Sequence, residues 1–194
     1  MGSLHRAVVV VSLAALAICG CQGQSPSGGR QPAQQSAQVP EENHFQKALD
    51  CEAQQQWELA KQEYRLAVKQ QPQDSRACVN LGRLYAREGE SAHAEECWRQ
   101  ALRINPKDAR AANLLGSVYM RQKQFDKAIT CYGKALEADP NYANAHWNIA
   151  AAYRSLDRKR EAAQHYRKYI DLAPPEDLEG IVEARRYMDS LAEK

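Results

Sequence analysis

Phenylalanine occurs only twice in these 194 residues, and the formal net charge is only +2 at pH 7. There is no Cys-x-x-Cys pair, no His-Glu-x-x-His motif and no glycine-rich phosphate loop. The near-balance of charge excludes a whole-chain nucleic-acid or membrane-surface footprint. The missing motifs leave no catalytic constellation: His44, His93, His146 and His165 are scattered and read as surface or groove histidines. No metal, cofactor or small-molecule substrate is therefore expected, and no enzymatic activity. What is abundant is Ala, Gln, Glu, Lys, Arg and Leu. These residues lose little side-chain freedom in a helix, so the composition predicts a mostly helical protein, and with the repeat described below an all-α one.

The longest run of apolar and small residues, Ala7 to Ile18, is twelve residues. A helix crossing a hydrocarbon core needs about 20. Preceded by His5 and Arg6, the run fits the apolar centre of an export signal over residues 1–20. It ends in Ile18-Cys19-Gly20-Cys21, which resembles the bacterial lipobox, with Cys19 in place of the usual Ala or Ser. The resemblance implies a lipid on Cys21 as membrane anchor. Gln22 after it, rather than Asp, points to the periplasmic face of an outer membrane. Cleavage after Ala17, using Ala15-Leu16-Ala17, is the alternative and leaves a soluble exported protein. Residues 22–40 are mainly Gln, Ser, Pro and Gly, too polar to offset the entropy of ordering, and read with Cys21 as a tether over 21–40.

From Glu41 the chain repeats every 34 residues, a period that implies a solenoid. Pro72, Pro106, Pro140 and Pro174 punctuate it, each closing a helix through its ring and its effect on the preceding residue. Ala60, Ala94, Ala128 and Ala162 form one row, and Tyr64, Trp98, Tyr132 and Tyr166 an aromatic row four residues on. Leu81-Gly82, Leu115-Gly116 and Ile149-Ala150 recur in the first half of each unit, followed by Tyr85, Tyr119 and Tyr153. The first unit departs, with Lys47-Ala48 and Cys51 at these places. The pattern resembles the tetratricopeptide-repeat family over residues 41–174. That resemblance implies a right-handed superhelical solenoid of four helix-turn-helix units, 41–74 (degenerate), 75–108, 109–142 and 143–176. The small Gly or Ala of the first helix is expected to face the small alanine row of the second, with the aromatic rings between successive units.

The closing segment, 177–194, reads as a capping helix, with the acidic pair Glu176 and Asp177 at its start. Its apolar stripe is expected to be Leu178, Ile181, Val182, Met188 and Leu191. Cys51, Cys78, Cys97 and Cys131 read as free thiols. Cys97 and Cys131 occupy equivalent places in neighbouring units, and helices about 8–10 Å apart are too far separated for a disulfide, whose Cα atoms rarely lie more than about 7 Å apart.

In the resembled family the first helices line a concave side that commonly takes peptides. Carried over by register, the groove would include Arg76, Arg83, Arg87, Arg110, Arg121 and Arg154, with Asn113 for hydrogen bonding and Trp147 as an aromatic platform. Arginine grips carboxylates with a two-pronged fork, so the expected ligand is an acidic or carboxylate-bearing protein segment. The alternative is that these arginines are solvated or paired with neighbouring Glu. The Lys and Asn set of chaperone-binding members is missing: Arg83, Ser117 and Ala151 stand in that Asn row. Two roles remain open. One is a non-catalytic, membrane-tethered adaptor in envelope assembly, of the secretin, pilus, outer-membrane-protein or peptidoglycan-machinery type. The other is a fixed structural subunit of a larger envelope enzyme or secretion complex.

Overall fold

The computed structural model describes residues 43–192. The export signal, Cys21 and the tether all lie outside the described residues. Within them there are nine α-helices and no strand: α1 (His44–Ala53), α2 (Trp57–Gln70), α3 (Ser75–Arg87), α4 (Ser91–Ile104), α5 (Ala109–Arg121), α6 (Phe125–Ala138), α7 (Ala143–Ser155), α8 (Lys159–Leu172) and α9 (Leu178–Ala192). Helices pair as α1 with α2, α3 with α4, α5 with α6 and α7 with α8, and each pair stacks on the next. The result is an all-α solenoid closed by α9.

Local chemistry sets the helix ends. Asn43, Asp74 and Asp108 accept a backbone N–H at the starts of α1, α3 and α5, the usual role of short polar side chains there. Each second helix stops two residues before a proline. The turn inside each pair has one residue in the left-handed region, at the same place every time: Gln55, Gly89, Lys123 and Asp157, with φ of 59°, 83°, 58° and 56°. Only the second unit places glycine there, where it costs least.

Packing corrects one expectation about the rows. Ala60, Ala94, Ala128 and Ala162 are fully buried, and Tyr64, Trp98, Tyr132 and Tyr166 nearly so. The glycines, however, face rings rather than alanines. A Cβ on Gly82 would sit 2.6 Å from Trp98 Nε1, and one on Gly116 would sit 2.5 Å from Tyr132 Cε1. Trp98 and Tyr132 therefore fill a gap inside their own unit, while Tyr166 also meets Tyr187 of α9 (5.1 Å). Trp98 Nε1 donates to the Val79 carbonyl (3.1 Å) and Tyr132 Oη to Ser117 Oγ (3.3 Å). A flat ring needs a gap as wide as a missing side chain, and the glycine opposite supplies it. Tyr166 Oη is buried with no hydrogen-bond partner among the described residues. Burial pushes the Tyr64 phenol up to about 12.

The odd first unit has a physical reason. Interior first helices bury Leu81 and Leu84, Leu115 and Val118, or Ile149 and Ala152. At the equivalent places α1 carries Lys47 and Asp50. No helix precedes α1 among the described residues, so that face has no apolar partner to meet.

At the other end the cap keeps only part of the expected stripe, Ile181 and Met188. Leu178 and Val182 are 67% and 50% exposed, whereas Ala184 is fully buried and Ile181, Tyr187 and Met188 pack beside it. The cause is Tyr169, which stands where the preceding units have Ala67, Ala101 and Ala135. Its buried ring reaches toward α9, where its hydroxyl donates to Asp177. A Cβ on Gly180 would collide with that hydroxyl. Gly180→Val is therefore expected to overpack the joint by about 1–3 kcal/mol. Faster amide exchange and proteolysis across α9, with the rest of the array protected, is the expected signature. Unchanged protection of α9 would show that the joint is not what seats it.

Candidate peptide-binding surface

The first helices meet side by side, which makes one continuous surface. Glu52 of α1 pairs with Arg83 of α3 (3.3 Å), and Asn148 of α7 donates to Asn113 Oδ1 of α5 (2.9 Å). Arg154 of α7 pairs with Glu183 of α9 (3.2 Å) and lies over Tyr187. Helix α9 thus extends the surface as a fifth member.

The arginines on this surface are not equivalent. Arg76 is doubly bonded to its own helix cap, Asp74 (2.6 Å at closest), and lies 4.8 Å over the Phe45 ring. That guanidinium holds the Asp74 carboxyl below the usual carboxylate range. Arg83 is shared between Glu52 and Asn80. Arg87 stacks on Trp57, 3.4 Å from the ring centre. Arg154 is engaged by α9. Arg110 and Arg121, at the two ends of α5, are exposed and make no ion pair among the described residues. Such paired surface charges contribute about 0–1 kcal/mol each, so they yield to a better partner, but the two unpaired heads have none to give up.

Asn113 is buried, and its carbonyl is committed to Asn148. Trp147 is half-buried and packs edge-on against Tyr166 (5.3 Å) and tilted on Tyr169 (5.0 Å). A cavity of about 310 Å³ opens beside it, lined with Asn144, Tyr169, Asp177, Glu179, Gly180 and Glu183. Glu179 is exposed and pairs with nothing among the described residues. The cavity beside Trp147 is therefore acidic, with Arg154 and Arg186 further along α7 and α9, while the α5 stretch is basic. The carboxylates of α9 were absent from the sequence-based site, though the signal existed: the 34-residue step from Gly116 and Ala150 lands on Ala184.

The thiols take no part. Among the described residues Cys51, Cys78, Cys97 and Cys131 are all free, and burial pushes the Cys97 thiol up to about 12. Protonated thiols are poor nucleophiles. No helix among the described residues is long and apolar enough to cross a membrane.

Comparison with known proteins agrees with this architecture. Two models of the tetratricopeptide repeat match residues 79–130 and 143–176, and a model of the TPR repeat matches 116–157. The chain belongs to the tetratricopeptide-repeat family. No curated protein matches it. Among solved structures, a crystal structure of the MamA protein is similar at 21% identity and TM-score 0.63, covering 77% of this chain and 88% of that one. A second MamA structure gives 19% and 0.61, covering 76% and 97%. The first TPR of Spaghetti (RPAP3), bound to the HSP90 peptide SRMEEVD, is similar at 24% identity and TM-score 0.57, covering 62% and 94%. At these identities the likeness is one of fold.

Proposed function

We propose that this chain is a non-catalytic adaptor that holds an extended protein segment against its first-helix surface while tethered to a bacterial envelope membrane. The observation that carries the reading is the contrast between Arg110 and Arg121, unpaired at the two ends of α5, and the arginines around them, already engaged. Carboxylates of the partner would answer the two free guanidiniums. A basic side chain would suit the Trp147 cavity, where Glu179 lies near an aromatic ring. The preferred ligand is thus a segment of mixed charge, acidic opposite α5 and basic at that cavity. The SRMEEVD peptide bound to the RPAP3 domain carries both kinds of residue, which supports such a ligand on this fold. Envelope assembly, of the secretin, pilus, outer-membrane-protein or peptidoglycan-machinery type, is the setting that the export signal favours.

Tethering rests on Cys21 and the residues before it. One acyl chain anchors only marginally, whereas two or more anchor a protein stably. Cys21→Ser is expected to abolish incorporation of labelled fatty acid and to leave an unprocessed precursor. A wild-type protein that begins at Ile18 and is recovered soluble from the envelope would overturn the anchor while leaving the adaptor reading intact.

A further inference from the structure

One pair of positions, nineteen residues apart, recurs where the first and second helix of each unit meet. It is occupied by His44 and Glu63, then Cys78 and Cys97, then Ala112 and Cys131, then His146 and His165. In the first unit His44 Nδ1 lies 2.8 Å from Glu63 Oε2, an imidazole–carboxylate hydrogen bond. In the fourth unit two imidazoles meet instead, with His146 Nδ1 3.1 Å from His165 Nδ1.

The proton inventory of that pair is constrained. His146 Nε2 lies 3.1 Å from the Pro140 carbonyl oxygen, which can only accept, so Nε2 carries the hydrogen. In the neutral ring Nδ1 then holds a lone pair, and His165 Nδ1 must be the donor. A single proton therefore bridges two nitrogens. Imidazole nitrogens bind zinc-like ions at about 2.0–2.1 Å, which sets two such nitrogens roughly 2.9 Å apart at a right angle and about 3.4 Å apart at the tetrahedral angle. The observed 3.1 Å falls between these bites. We propose that His146 and His165 form a two-imidazole site for a borderline divalent metal ion of the Zn²⁺ and Cu²⁺ class. On binding, the ion takes the place of the bridging proton, which moves from Nδ1 to Nε2 of His165. Both rings remain neutral ligands, and no proton leaves the protein.

The surroundings fit that role. The bond from His146 to Pro140 is the outer-shell contact that orients a metal-binding imidazole and fixes its tautomer. A cavity of about 480 Å³ opens onto both rings and leaves room for water ligands. No third His, Cys, Asp or Glu completes a metal cluster among the described residues, so water takes the remaining positions. Arg167, Lys168 and Asp171 share the cavity wall, and the two cations lower the affinity relative to an acidic site. Imidazole donors favour Zn²⁺ and Cu²⁺ over Mg²⁺ and Ca²⁺. None of the arginines assigned above to the binding surface lines this cavity.

The test is nitrogen NMR of the imidazole rings in the full chain, labelled with ¹⁵N-histidine and titrated with Zn²⁺. This readout ignores zinc held by the cysteines. The Nδ1 resonances of His146 and His165 are expected to move together and saturate at one ion per chain, with Mg²⁺ without effect. His165→Gln, on the cavity wall, should weaken binding at least about tenfold, the scale of loss seen when a metal site's supporting groups are removed. His93→Gln, on an exposed face, should leave it unchanged. His146→Gln removes a buried bond to Pro140 and risks misfolding, so the conclusion rests on His165→Gln. Nδ1 resonances that stay put under excess Zn²⁺, or an identical titration of His165→Gln, would overturn the site.

Discussion

Gly116→Leu is expected to break the array at its centre. Even the first carbon of the new side chain would lie 2.5 Å and 2.7 Å from Tyr132 Cε1 and Cδ1. The ring has nowhere to go. It is 1% exposed, its hydroxyl is bonded to Ser117, and Ala128 and Ala135 on either side of it along α6 are fully buried. Overpacking of this kind costs about 1–3 kcal/mol, and here a whole isobutyl group must be placed, so the upper end or beyond is expected. Each unit leans only on its neighbours, so a fault between α5 and α6 should divide the solenoid and broaden its melting transition. Gly133→Ala is the matching control. Gly133 lies inside α6 with no atom within 4 Å of the added methyl group. There the change only removes glycine's conformational freedom, and a gain of about 0.5–1 kcal/mol is expected. Circular-dichroism melts of the two variants should move in opposite directions. A Gly116→Leu curve that overlays the wild type would refute the packing described for the aromatic row.

Removing the two unpaired charges should have the largest effect on binding. Truncating an arginine that is desolvated against a partner carboxylate typically costs about 2–5 kcal/mol, whereas a rim charge mainly changes association rate and salt dependence. Arg110→Ala with Arg121→Ala is therefore expected to weaken capture of the native partner by at least about tenfold, or about 1.4 kcal/mol. Helical content should not change, because both side chains are exposed and neither is in a packing row. The control pair is Lys134→Ala with Arg160→Ala, exposed residues of α6 and α8 on second helices. Added salt should weaken the wild-type complex more than the complex of the Arg110 and Arg121 variant. The partner itself can be taken from crosslinking and pull-down in native membranes. Equal capture by both double variants would move the binding site off the first helices. A partner that co-purifies in fixed ratio and never exchanges would favour the structural-subunit role.

Legibility of the site was uneven. Register placed Arg76, Arg83, Arg87, Arg110, Arg121 and Arg154 on first helices, and that is where they are. It could not separate the two free ones from the four engaged ones. Glu52 and Arg83 are 31 residues apart, and Arg154 and Glu183 are 29, neither of which is the repeat period. Those partners are chosen by side-chain reach across a helix interface, a length the period does not encode. The acidic cavity beside Trp147 was hidden for a related reason. The aromatic row and its proline end at Pro174, yet α9 continues the first-helix surface without a second helix to announce it.

By itself the sequence determined that the chain folds as stacked helical pairs, because helix signals are local. Proline stops, Asp and Asn caps and the buried alanine row each act within a few residues, and a 34-residue period repeats them until only one architecture satisfies all units. Tertiary structure alone decided what meets across the helices. It put the glycines under Trp98 and Tyr132, turned the cap so that Ala184 rather than Val182 is buried, and set His146 against His165. These contacts depend on the rotation of each helix about its own axis. That rotation is fixed by ring shape and by the space a glycine leaves, which no repeat period specifies.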